Sequence, residues 1–119
     1  MTEIFPDVLR HAGEAQESIL AMSRVAPDVL TAPVAFDVID ELEGLSCLLP
    51  TVFSQISTGL TRALTKFETY ENDGGDPEVS TATARAVLSR AAELASQLGL
   101  LLDEAKTAVS EQGHRRIPQ

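Results

Sequence analysis

Two long stretches of regularly spaced apolar residues flank a short polar run, Asn72-Asp73-Gly74-Gly75. Before it come Val38/Ile39, Leu42, Leu45, Leu49, Val52/Phe53, Ile56, Leu60, Ala63/Leu64, Phe67 and Tyr70. Their steps of three and four residues keep them on one face of a helix. The spacing predicts a helix from about Val34 to Glu71. After the polar run a heptad follows: Ala84, Val87, Ala91, Leu94, Leu98, Leu101, Ala105, Ala108 and Gln112. Leu88, Ala95, Leu102 and Val109 each stand one position beyond a member of that set. The first set reads as the seam of a two-helix contact and the second as a flank that touches further helices. Gly99 lies off this stripe. The predicted second arm runs from Pro77 to Gln112.

The run between the arms is a turn, with two glycines to supply positive φ beside two side chains that hydrogen-bond locally. Asp76, Pro77 and Glu78 then make a helix start: a cap, a first-turn proline and an acid at the positive end of the dipole. The pattern therefore predicts an all-α fold built on a long antiparallel helical hairpin.

Pro50 interrupts the first arm. An interior proline removes one backbone hydrogen bond and costs roughly 3 kcal/mol. Yet Leu42, Leu45, Leu49, Phe53, Ile56 and Leu60 hold one face across it, and Leu48-Leu49-Pro50-Thr51-Val52 lacks the polar or glycine residues of a turn. The reading is one helix kinked at Pro50. If Pro50 broke the arm instead, an up-down bundle of four helices would result.

A shorter helix precedes the hairpin. Phe5, Val8, Ala12, Ala15, Ile19, Met22 and Ala26 alternate three and four apart, with Leu9 and Leu20 beside them. Pro6 suits the first turn, and Pro27 ends the helix because the residue before a proline leaves the α region. The connector Pro27–Pro33 carries Thr31 as a candidate cap. Arms of about 36 residues rise roughly 54 Å, whereas about 20 residues span only roughly 30 Å. The first helix is thus expected to pack along the half of the hairpin that holds Val38, Leu42, Leu45, Leu49 and Leu98 to Val109. The other half, with Phe53, Ile56, Leu60, Leu64, Phe67, Tyr70, Val87 and Leu88, is left as two helices and is the expected interface. A second copy, or a helical partner protein, is the expected cover. Ala82, Ala84, Ala86, Ala91, Ala92 and Ala95 permit close helix approach there, although alanine also favours helix for its own sake.

Composition narrows the choice of partner. The chain has 119 residues, a usual size for one domain, and 44% are hydrophobic. Residues 1–5 and 113–119 are expected to fray as the ends of that domain. The net charge is −9, opposite to the basic footprint that phosphate neutralisation demands, so neither nucleic acid nor an anionic membrane surface is an expected partner. No apolar run approaches the ~18 residues of a membrane span. The single cysteine, Cys47, excludes an internal disulfide and suits a reducing cytoplasm. The first residues lack the basic and apolar regions of a signal peptide. The Ala- and Leu-rich, Lys-poor usage suits a high-GC bacterial or phage source.

Candidate chemistry is sparse. Asp7, His11 and Glu14 share one helix face at a spacing that can present metal ligands; the plainer reading is a solvated face with ordinary helix pairing. Asp37, Asp40, Glu41 and Glu43 open the second helix, where its dipole accounts for them. Glu68, Glu71, Asp73, Asp76 and Glu78 ring the hairpin tip. Cys47 has no base in a recognisable pattern, and no phosphate loop, CxxC, HExxH or GxSxG occurs. In outline the hairpin resembles the small secreted WXG proteins, but tryptophan is absent and no Trp-x-Gly turn exists. The Arg-x(4–6)-His element of HEPN ribonucleases is missing too. Neither function is carried over. The expected role is a non-enzymatic interaction or adaptor protein without a cofactor. A metal- or ligand-binding bundle using Asp7, His11 and Glu14 is the alternative.

Overall fold

A computed structural model describes residues 7–25 and 27–118. The places foreseen for Phe5, Pro6 and Ala26, and the end of the tail at Gln119, lie outside the described residues. Three helices are present, α1 (Asp7–Arg24), α2 (Ala32–Lys66) and α3 (Pro77–Ala108), with no strand among the described residues. The chain divides into two compact units, Met1–Leu30 and Thr31–Gln119, and each is described by itself.

In the first unit, α1 is an 18-residue amphipathic helix with no buried residue. Asp7 opens it and Arg24 closes it, each at the dipole end that favours its charge. Val25 N–H bonds back to Ala21 and Met22 carbonyls at 3.2 and 3.3 Å.

The second unit is the hairpin. Thr31 occupies the N-cap of α2, with Pro33 in the first turn, but its side chain makes no capping bond. The helix runs unbroken for 35 residues with Pro50 inside it. Apolar packing on both sides of Pro50 outweighs the single hydrogen bond that proline cannot donate. Helix α2 stops at Lys66, earlier than the apolar spacing suggests. Phe67 is already extended (φ −130°, ψ 152°), and Phe67 to Asp76 form the connection. Continuing the helix would set Glu68 and Glu71 at its negative end, where carboxylates are disfavoured. Phe67 and Tyr70 are therefore not on a helix, and both are exposed.

At the tip only Gly74 has positive φ, +83°; Gly75 does not. Gly74 N–H donates to Glu71 O at 3.0 Å, and Gly75 N–H to Asp73 Oδ1 at 2.9 Å. Asp76 caps α3 as its position predicts, accepting from Glu78 N–H at 2.9 Å, with Pro77 first in the helix. Helix α3 ends at Ala108, short of Gln112, in turn-like residues at Val109 to Glu111.

Candidate functional site

The hairpin seam is built from small residues. Ala32, Ser46, Ala95 and Gly99 are the buried ones among the described residues. A Cβ placed on Gly99 would lie 3.0 Å from Ser46 Oγ, so α2 and α3 approach closely at this level. Ser46 Oγ donates to Glu43 O at 2.8 Å, which satisfies the buried hydroxyl within its own helix. Seven residues along each chain, Phe53 and Ala92 stand together at one groove. The half-buried positions continue the line: Leu42, Pro50, Phe53, Ser57, Thr61 and Leu64 on α2; Ala84, Leu88, Ala92, Leu102 and Lys106 on α3, and Val109 just past its end.

This reverses the expected roles of the two apolar sets on α3. Leu88, Ala95, Leu102 and Val109, read as a flank, face α2. The leucines of the heptad do not: Leu94 is 63% and Leu101 61% exposed, and Val87 and Leu98 are exposed too. Close approach at Gly99 selects small side chains for the seam, because two backbones that near leave no room for two leucines.

The positions beside the seam sort by chemistry. One residue before the seam positions the side chains are mostly apolar: Leu45, Leu49, Val52, Ile56, Leu60 and Ala63 on α2, and Val87, Ala91, Leu94, Leu98 and Leu101 on α3, with Glu41 and Thr83 polar towards the ends. One residue after, the side chains are mostly polar: Cys47, Thr51, Ser54 and Thr58 on α2, Arg85, Ser89, Glu93, Ser96 and Asp103 on α3, with Leu100 the apolar exception. In an antiparallel pair a step back along either helix turns to the same side. The hairpin therefore has one apolar face and one mostly polar face. The polar face contains two grooves. One, about 450 Å³, is lined by Ser54, Ser57, Arg85 and Ser89 among others; the other holds Cys47, Ser96 and Asp103.

Of the residues foreseen as an interface, Ile56, Leu60 and Val87 are exposed on the apolar face, and Phe53, Leu64 and Leu88 are half-buried along the seam. Phe67 and Tyr70 are exposed in the connection. The apolar face also extends past that half to Leu45, Leu49, Leu98 and Leu101, all exposed.

The open end is fastened by a residue the sequence pattern left unremarked. Lys106 Nζ donates to Glu43 Oε1 at 2.7 Å and Asp40 Oδ1 at 2.8 Å, with Asp103 Oδ1 at 3.8 Å. Its ammonium also lies 5.5 Å from the centre of the Phe36 ring. The hydrogen bonds Lys106 donates to Asp40 and then Glu43 hold it well above the usual lysine pKa range, against some desolvation. Helix α2 begins at Ala32, so Asp40 and Glu43 lie beyond its first turn; Lys106, rather than the dipole, accounts for these two. A lysine three residues before Val109, on the same stripe, is the signal that pointed there.

On α1, Arg10 sits between the acids of the candidate metal face. It pairs with Glu14 at 2.9 Å and Asp7 at 3.4 Å, and His11 Nδ1 is 3.6 Å from Glu14. All four side chains are more than half exposed. Among the described residues no group of three His, Cys, Asp or Glu side chains is placed to hold a metal ion. Likewise, no helix is long and apolar enough to cross a membrane. No protein-family model matches the chain, and comparison with curated proteins and with solved structures found no match.

Proposed function

We propose that this is a non-enzymatic interaction protein that works in the cytoplasm by presenting the apolar face of its hairpin to another helical surface, most simply a second copy of itself. One observation carries the reading. Most of the exposed large apolar side chains of α2 and α3 collect on one side, while serines, Arg85 and Asp103 collect on the other. A continuous apolar patch on a helix pair marks an association surface. The seam supports the same view, because it buries so little. No large side chain among the described residues is fully buried, whereas ordering each residue costs about 1–2 kcal/mol of backbone entropy. Further apolar burial against another surface supplies what the hairpin's own seam does not. The net charge of −9 directs the choice to protein rather than nucleic acid.

Light scattering across a concentration series tests this, on wild type and on Leu60→Glu and Leu94→Glu. The wild type is expected to self-associate. Each variant places an unpaired charge in the apolar contact and is expected to lose association while keeping its helix content. A wild type that stays monomeric at every concentration, with stability unchanged on dilution, would sink self-association.

A further inference from the structure

The charged residues at the outer edges of the apolar face fix more than the existence of a contact. Glu41 and Lys66 stand on the outer edge of α2, about three and four helical turns either side of Val52. Neither charge has an ion-pair partner among the described residues, unlike Arg10 or Lys106. The point midway between Glu41 and Lys66 falls between Phe53 and Ser54. With Phe53 level with Ala92, the matching point on α3 falls between Ala91 and Ala92.

We propose that a second copy of the chain closes the apolar face, related by a two-fold axis that crosses the hairpin at that level, perpendicular to the helices. The proposal rests on the self-association reading above and adds its geometry. Such an axis lays α2 antiparallel on the partner's α2 and α3 on the partner's α3. Glu41 then meets the partner's Lys66, and the pair occurs twice. The competing two-fold, along the helices, sets α2 against the partner's α3 at equal height and brings Glu41 beside the partner's Glu104. That arrangement opposes like charges and leaves Lys66 unmatched.

Size agrees. From Glu41 to Lys66 the helix rises roughly 38 Å, and two helices side by side are about 20 Å wide. The face is then roughly 750 Å² per copy, within the range of stable interfaces at about 800 Å² per partner. The apolar side chains also interleave. Under this axis Leu45, Leu49, Ile56 and Leu60 fall at heights between those of the same residues on the partner, as knobs facing gaps.

Sedimentation equilibrium on charge variants tests the register. Glu41→Lys and Lys66→Glu each set like charges together at two places and are expected to weaken association about tenfold. The double variant Glu41→Lys/Lys66→Glu is expected to return to near the wild-type dissociation constant. In a Cys47→Ser background, spin labels at position 37 of the two copies are expected about 50 Å apart by helix rise. A label separation of about 25 Å or less, or a double variant no tighter than the singles, would overturn this axis while self-association stood. A monomeric wild type would remove both.

Discussion

Ser46 Oγ occupies the space a side chain on Gly99 would need, 3.0 Å from where its Cβ would be. Across the seam, Cys47 Sγ also lies near that Cβ, at an ordinary contact distance of 3.5 Å. Glycine inside a helix is about 1 kcal/mol worse than alanine, so the close approach keeps a residue that helix propensity would reject. Gly99→Ala alone is expected to gain nothing, because the buried Ser46 hydroxyl is held to Glu43 O. In a Ser46→Ala background the same change is expected to stabilise by about 1 kcal/mol. Urea unfolding of the four proteins measures the difference; equal effects of Gly99→Ala in both backgrounds would refute the account.

Lys106 gives the open end a dependence on pH. Its folded pKa is raised by Asp40 and Glu43, so its contribution is complete below the unfolded lysine value of about 10.4 and is lost as pH rises beyond it towards the folded value. Lys106→Met keeps the apolar stem near Phe36 and removes the charge. The variant is expected to melt lower than wild type at pH 7 to 9, and the gap should close above about pH 10.4. Half of the Asp40 side chain is exposed, so 1 M salt should also narrow it. Thermal melts of both proteins across that range decide the matter; a gap that stays constant with pH would assign the effect to packing.

The two tip glycines are expected to respond differently to substitution. Gly74 has φ +83° with open space around its missing Cβ. Gly74→Ala is expected to destabilise by about 1 kcal/mol through backbone strain alone. At Gly75 a Cβ would meet the exposed Asp73 Oδ1 at 3.1 Å, and that carboxylate can shift slightly while still accepting from Gly75 N–H. Gly75→Ala is expected to stay within about 0.5 kcal/mol of wild type. Denaturant midpoints of the two variants make the comparison, and the reverse order would be inconsistent with the turn described.

Periodicity, capping residues and the polar turn made the helices legible. The phase of the stripe across Pro50 foretold one continuous α2, and Asp76-Pro77 foretold the start of α3. Rotation about the axis of α3 was not legible in the same way. Its two apolar sets share a spacing and differ by one residue, and side-chain size favoured the leucines for the seam. Backbone proximity decided otherwise, giving the seam to Ala95 and Gly99 and turning Leu94, Leu98 and Leu101 outward. For the same reason Ser46 carried no visible signal: a buried serine bonded to its own helix looks polar in sequence. Phe67 and Tyr70 kept the helical spacing beyond the point where charge at the C-terminus ended the helix.

The pairing of Ser46 with Gly99 and of Asp40 with Lys106 also orders events in time. Contacts next to Asn72–Gly75 close loops of a few residues, whereas Lys106 reaches an acid 66 positions away. Loop-closure entropy rises with each step from the tip, though slowly. Collapse of the hairpin then proceeds from the turn outward like a zip, each level shortening the loop that the next must close. Strain introduced by Gly74→Ala falls on the rate of closing, because the turn is formed first. Loss of the Lys106 clasp falls on the rate of opening, because the far end forms last and parts first.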